Sequence, residues 1–424
     1  MIAVPFIYFS LLLIYIVKKK KRFELSALIT AAYVITSFFA IIIDYKQLYG
    51  EAGCVKASIE IIPTLLYCFL ITITILPFII LPPLKKNNVI IIKNNKLLNQ
   101  FVYFYIGIFI LFSFFFGSEI ISRLRNPDIA ALKIAVSNGE DQLSFSHYTG
   151  FIRIIARISY LFASSAMFLQ VLYFYSIAFL RKKFIFNLSI LVSSLMPIML
   201  GMLGMDRSKM IYWIMSYVAL AIFFRPVLDV KKRKKVNAVF YMLIAVFGMY
   251  MSFVTIARYG KQDIGSTNSL IVYAGQSFNN FCLFYEKLNI QHLSFEYVTP
   301  LLYAIFGGSN ASISQQTYTF DTAVFATFAG MMIKEIGVFG SILYCLIYSI
   351  VVYFILSKMG KVYSLTKLII IIALFYIPYL GIFGIFYGDW FKELTVWIMI
   401  VVFNNLGRRL YLNKKNINKT NGNI

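Results

Sequence analysis

Apolar runs of membrane-spanning length follow one another along most of this chain, separated by short polar gaps. Eleven of them predict helices at residues 2–17, 25–43, 61–81, 98–116, 158–180, 184–203, 211–224, 236–257, 336–356, 368–386 and 394–404. A hydrocarbon core about 30 Å thick needs roughly 20 helical residues to cross it. One stretch breaks the pattern. Residues 258–340 are polar and aromatic at once, and their two apolar runs, 297–306 and 323–333, are too short to span. Runs of about 10–14 residues are more often interfacial or re-entrant. Non-helical backbone at membrane depth persists only where it is buried in protein or lines a wet cavity.

The expected fold is therefore an all-α polytopic membrane protein. It has about 11 transmembrane helices (10–12) and one large outer loop carrying interfacial or re-entrant helices. Helices 1–8 occupy residues 1–257, the large loop 258–335, helices 9–11 residues 336–404, and a basic tail 405–424. The first run is followed, not preceded, by its basic cluster, so it is expected to remain as a span.

Composition narrows the class. The chain has 424 residues, 60% hydrophobic and 13% charged, with a mean hydropathy of +0.78. No soluble globular protein has that balance. A net charge of +23 would point to nucleic acid in a soluble protein, but here the bases gather in alternate gaps. Counting the gaps alternately from an outer N-terminus, the inner set holds 26 of the 40 Lys and Arg and only Glu24 and Asp229 among the 17 acids. The outer set holds 14 bases and 15 acids. This is the positive-inside pattern, and it places the N-terminus out and the C-terminus in. Most of the lysine runs need no other explanation than topology and contact with anionic lipid. Inverted internal repeats of the transporter kind are not evident. Only the final NKKNINKTNGNI reads as disordered.

Of the four cysteines, Cys68 and Cys345 fall in spans, whereas Cys54 and Cys282 fall in outer gaps, where a disulfide between them stays open. No Cys/His spacing fits a metal, and no phosphate loop, dinucleotide fingerprint or HExxH motif occurs. The inner gaps are nearly free of acids, so chemistry must use the outer ones.

Four clusters there can carry it. The turn GMDRSKM holds Arg207, whose guanidinium fork suits a lipid-linked diphosphate at this depth; the plain alternative is local pairing with Asp206 or contact with headgroups. Arg153 and Arg157 lie four apart on one helical face and favour an anion between them, which headgroup phosphates supply equally. Arg123 and Arg125 are weaker candidates of the same kind. Gln276, Asn279 and Asn280 share one face of a helix rich in Tyr273, Phe278, Phe281 and Phe284. Amides with aromatic rings suit a glycan groove, and an amphipathic interfacial helix with ordinary core aromatics serves as well. Asp321 and Glu335 sit near Gly337 and Gly340; a carboxylate there can act as a general base for a sugar hydroxyl or simply occupy a helix N-terminus. The glycines alone read as helix packing. His147 and His292 are lone loop histidines, more often surface residues than bases.

The order of these features resembles the Wzy-type polymerases of O-antigen and capsule repeat units. The resemblance runs from about the fourth to the ninth span. It rests on Gly204–Arg207 before a mid-chain span, Tyr273–Asn280 opening the large loop, and Thr327 with Glu335, Gly337 and Gly340 leading into a span. The turn is one residue longer than the Gly-x-Arg of the family, and Val324 stands where an asparagine is usual. Related O-antigen ligases carry a histidine beside the position of Thr327, where this chain has Ala326.

The resemblance implies a metal-independent glycosyltransferase without cofactor in the bacterial cytoplasmic (inner) membrane. A glycan on undecaprenyl diphosphate would be transferred to the next lipid-linked repeat unit at the outer face. The site residues that follow are Arg207, Arg157, Arg153 and Arg258 for the diphosphate, Glu335 or Asp321 as base, and Tyr273, Gln276, Asn279, Asn280 and Thr327 for sugar. Expected partners are the lipid-linked glycans, as donor and acceptor, membrane lipids and a chain-length regulator protein, with no nucleic acid. The competing expectations are a flippase or transporter of the same lipid-linked oligosaccharide, and an O-antigen ligase.

Overall fold

A computed structural model of the chain describes residues 1–50, 54–90, 96–125, 149–180, 182–204, 206–259, 266–287, 325–358, 363–384, 394 and 396–404. Within them the protein is helical: α1 (Val4–Lys20), α2 (Leu25–Tyr45), α3 (Ile61–Ile80), α4 (Lys96–Leu124), α5 (Gly150–Ser165), α6 (Leu169–Phe179), α7 (Phe184–Ser193), α8 (Met196–Leu203), α9 (Ser208–Phe224), α10 (Val230–Tyr259), α11 (Ser266–Lys287), α12 (Phe328–Lys358) and α13 (Leu365–Leu380). Six helical stretches are long and apolar enough to cross a membrane: α2, α3, α4, the α7–α8 run, α9 with its 3₁₀ extension to Val227, and α12 as far as Ser357. A seventh joins if α5 and α6, bent by 47° at the Ala166–Phe168 3₁₀ turn, count as one broken span. The protein is thus a multi-helix membrane protein.

The chain divides into two compact units. The first comprises residues 1–83, 264–360 and 371–394. Its centre is α11, which packs chiefly on α2 and also on α12 and α3, while α12 lies along α3. The positioning of α11 is unexpected from its composition. It is the polar helix of the large loop, yet every residue from Gly275 to Phe284 is buried. The cause is local. A side chain at Gly275 would collide with the backbone of Phe39 and Ala40 in α2, so glycine lets the two helix backbones approach closely, as small residues do in membrane bundles. The rings of Phe278 and Phe281 then lie 5.0 and 5.1 Å from that of Tyr67 on α3. These phenylalanines are core residues rather than groove lining.

Two further features shape this unit. In α13, Pro378 has no N–H to offer the carbonyl of Leu374 four residues earlier. The hydroxyl of Tyr348 donates to that carbonyl instead, at 2.7 Å, and Tyr33 donates to the Pro378 carbonyl at 3.0 Å. In α12 the helix breaks at Gly337, whose φ of 70° and ψ of 179° lie in a region essentially closed to other residues. Gly340 follows from that break: a side chain there would press on Ile336. Of the pair read from sequence as helix packing, Gly337 makes a kink.

The second unit comprises residues 84–263, 361–370 and 395–424. Here α4 packs on α5, α7 and α8, and α9 packs on α6, α8 and α10. A cluster of rings from Tyr173, Phe174, Trp213, Tyr217 and Phe224 fills its interior. Gln170, fully buried, accepts from Ser216 and donates to the Trp213 carbonyl, so this interior amide is satisfied at both ends.

Candidate functional site

The first unit gathers a polar group on the α11–α12 pair. Asn280 is buried and donates to the carbonyl of Phe325 at 2.7 Å. This holds the three residues that lead into α12 against the middle of α11. The ring of Phe325 meets Tyr273 at 5.5 Å and Phe383 at 5.2 Å. Thr327, also buried, accepts from the Gly330 N–H at 3.2 Å; it is the N-cap of α12. Phe328 donates its N–H to the Gly381 carbonyl at 2.7 Å, which ties the same corner to the end of α13.

The three amides of α11 have different duties. Asn279 clamps the chain between α2 and α3: its oxygen accepts from Ala57 N–H at 3.1 Å, and its nitrogen donates to the Val55 carbonyl. Glu286, two turns further on, accepts from Ser58 N–H at 3.0 Å. Asn279 is therefore a positioning residue for residues 55–58. Gln276 is different. It is completely buried, and neither its Oε1 nor its Nε2 has a hydrogen-bond partner among the described residues. The Oδ1 of Asn280 is likewise unpartnered. A buried amide without partners costs about 1–3 kcal/mol, which makes these atoms candidates for binding a polar ligand group.

Glu335 is 4% exposed, on α12 two residues before the Gly337 break. An ionisable side chain buried in a span-length helix is costly, which makes Glu335 a candidate functional group. Asp321, the other carboxylate singled out by sequence, lies outside the described residues, as do His147 and His292.

The second unit holds the arginines. Arg207 is the half-buried N-cap position of α9. Its turn is compressed: Asp206 donates its N–H to the Gly201 carbonyl at 2.7 Å, and the Asp206 carboxylate accepts from Ser208 N–H at 2.8 Å. Asp206, one residue before the N-cap, thus satisfies the first N–H of α9. Arg123 is a finding sequence reasoning undervalued. It is buried, bonds Glu119 through Nε and Nη2 at 3.1 and 2.9 Å, and donates through Nη1 to the Leu203 carbonyl at 3.0 Å. It anchors the end of α8, immediately before the Arg207 turn. Arg153 and Arg157 are exposed one turn apart on α5, and neither forms an ion pair with a described residue. Arg258 falls in α10, and its side chain is outside the described residues.

The four cysteines are free and buried. Cys54 packs with Ile43, Leu48 and Val272, so the disulfide left open by the sequence is absent. Comparison with protein-family models, characterised proteins and solved structures found no match for this chain.

Proposed function

We propose that this protein is a lipid-linked oligosaccharide polymerase of about eleven spans, acting at the outer face of a bacterial cytoplasmic membrane with its N-terminus out and C-terminus in. The observation that carries the reading is the α11–α12 polar group: a buried carboxylate, Glu335, and unpartnered amide atoms of Gln276 and Asn280, on two helices packed inside an apolar bundle. A polysaccharide polymerase needs buried hydrogen-bonding groups for sugar hydroxyls, a base, and cations for the leaving diphosphate.

In the proposed reaction the acceptor hydroxyl oxygen bonds to the anomeric carbon of the donor glycan. The bond from that carbon to the lipid diphosphate breaks, and its electron pair leaves with the diphosphate. The hydroxyl proton passes to a carboxylate, with Glu335 or Asp321 in that role. Arg207, Arg157, Arg153 and Arg258 would stabilise charge growing on the leaving group. Gln276, Asn280 and the Tyr273 ring would hold sugar. Asn279 and Thr327, engaged by backbone, support the site instead of touching substrate.

A second reading has an observation of its own. An intramembrane carboxylate beside a broken helix also marks transport paths, so Glu335 and Gly337 fit a flippase for the same lipid-linked units. One experiment separates the two. The purified protein in liposomes is given the undecaprenyl-diphosphate-linked repeat unit of its own organism. Polymerisation yields a ladder of lengthening glycans on the lipid. Movement of the unit across the vesicle wall without a ladder supports the flippase, and neither outcome from folded protein overturns both.

A further inference from the structure

The second unit contains a built cavity that the proposed reaction does not use. It has a volume of about 280 Å³ and lies between the end of α9 and the first turns of α10. Ile222 from α9 and Phe240 and Tyr241 from α10 give it apolar walls, while Arg225, Arg233 and Asn237 bring polar groups to it. We propose that it is a binding site for an anionic phospholipid, with the phosphate held between Arg225 and Arg233 and an acyl chain running along α10.

The arginines are available for this. Arg233 donates through Nε to the Leu228 carbonyl at 2.8 Å, which fixes the plane of its guanidinium and leaves the Nη groups without a partner among the described residues. Arg225 is exposed, and its guanidinium makes no hydrogen bond or ion pair with a described residue. The acid closest in sequence, Asp229, accepts from Lys86 at 2.7 Å and also feels the charges of Lys232 and Arg233. In sequence, Lys231, Lys232, Lys234 and Lys235 flank Arg233 and add positive charge to this segment. A guanidinium fork and a basic surround are the chemistry that selects phosphate.

The walls choose a lipid over free phosphate. Ring stacking of Phe240 on Tyr217, with centroids 6.0 Å apart and planes within 2°, and the bond from Tyr217 to the Val236 carbonyl at 3.1 Å make one wall rigid. On the cavity's side of α10, Tyr241 and, one turn on, Ile244 are exposed. That apolar face is the path for a chain. The cavity itself is too small for a whole phospholipid and suits the phosphate and glycerol. Basic pockets between spans are the usual sites for anionic headgroups. Because α9 is 17 residues long, the site lies about 25 Å along that helix from Arg207. A lipid there would brace the helix that carries the Arg207 turn without entering the proposed active site.

The test uses the full chain purified in detergent, with native mass spectrometry and thermal unfolding on addition of phosphatidylglycerol, cardiolipin or phosphatidylcholine. Expected are retained phosphatidylglycerol or cardiolipin, a rise in melting temperature with these alone, and at least about tenfold weaker binding in Arg225→Gln/Arg233→Gln, about 1.4 kcal/mol. Ile222→Trp, which fills the cavity and keeps both arginines, should also lose binding, and it serves if the arginine variant misfolds. Three results would overturn the proposal: equal retention of phosphatidylcholine, displacement of the lipid by millimolar inorganic phosphate, or an equal loss in Lys231→Gln/Lys234→Gln, which would assign the effect to diffuse surface charge.

Discussion

The side-chain nitrogen of Asn280 lies 2.7 Å from the carbonyl oxygen of Phe325, joining the middle of one buried polar helix to the lead-in of the next. Residues 45 apart in sequence are held by this bond at the place where Thr327 caps α12. It fixes where α12 starts, and through the α12 backbone it sets the height of Glu335 and of the Gly337 break. The polar face of α11 and the carboxylate on α12 thus belong to one pair of packed helices.

The first prediction concerns that carboxylate. A positioned general base contributes about 10²–10⁴-fold to rate. Glu335→Gln keeps the volume and removes the charge, so chain elongation in liposomes should fall at least about a hundredfold while the protein still inserts and runs as a single species. Elongation within a few-fold of the parent would remove Glu335 from the chemistry. Gln276→Leu should behave otherwise. It deletes unpartnered buried polar atoms, so it should raise the melting temperature and weaken use of the lipid-linked unit. Lost stability together with unchanged elongation would mean that Gln276 is structural.

Six of the eleven expected spans return as span-length apolar helices among the described residues; they were legible because the bilayer enforces them: an unbroken apolar run of the right length has few other uses. The burial of α11 was not. Its amides and aromatic rings read as a glycan groove or an interfacial face, because period and composition report which residues share a side but not whether the opposite side also meets protein. The available signal was Ala274-Gly275 beside Ser277, a small-residue patch in an otherwise bulky helix. Gly337 and Gly340 illustrate the converse limit. Spacing identified a glycine pair, while only the backbone angles separate a kink from a packing groove. Arg123 was indistinguishable from Arg125 by sequence, since nothing in the local pattern reveals that its fork reaches a carbonyl 80 residues away.

Two glycines in helices give a paired prediction. Gly275→Ala places a methyl group against the α2 backbone, which cannot move aside as a flexible side chain would. Forced overpacking costs about 1–3 kcal/mol, so fluorescence-detected size exclusion should show a lower melting temperature and less monodisperse protein. Gly107→Ala in α4 meets nothing within 4 Å, and alanine is the better helix former by roughly 0.5–1 kcal/mol. It should be neutral or stabilising. Equal behaviour of the two variants would contradict the close approach of α11 and α2.

Arg123 should be a stability residue rather than a substrate ligand. Removing one member of a buried pair leaves the other charge uncompensated, at about 3–5 kcal/mol. Glu119 is about a quarter exposed at 26%, so the lower end applies. Arg123→Met should therefore lower the melting temperature sharply, and Glu119→Gln/Arg123→Met should recover part of the loss. If Arg123→Met kept full stability and lost elongation, the arginine would belong with the diphosphate-binding group instead.

Cys54 offers a pH-dependent check on the packing of α2, α11 and the segment between α2 and α3. Burial pushes its thiol up to about 11, above an ordinary cysteine value of about 8.5. The neutral thiol is the form the fold accommodates. Its contribution to stability is then fully present below about pH 8.5 and is lost as pH rises through 11. Tyr49 nearby is also pushed up, first by burial and then by its hydrogen bond to Asp44, so a bulk alkaline melting curve mixes the two. Site-resolved mass spectrometry after brief maleimide treatment separates them. Native protein should carry almost no label on Cys54 at pH 7.5, with labelling rising only as pH approaches the shifted value or on denaturation, and Cys54→Ala should show a shallower loss of stability between pH 9 and 11. Rapid labelling at pH 7.5, or recovery of Cys54 linked to Cys282 without reductant, would mean that the thiol is not enclosed by Ile43, Leu48 and Val272.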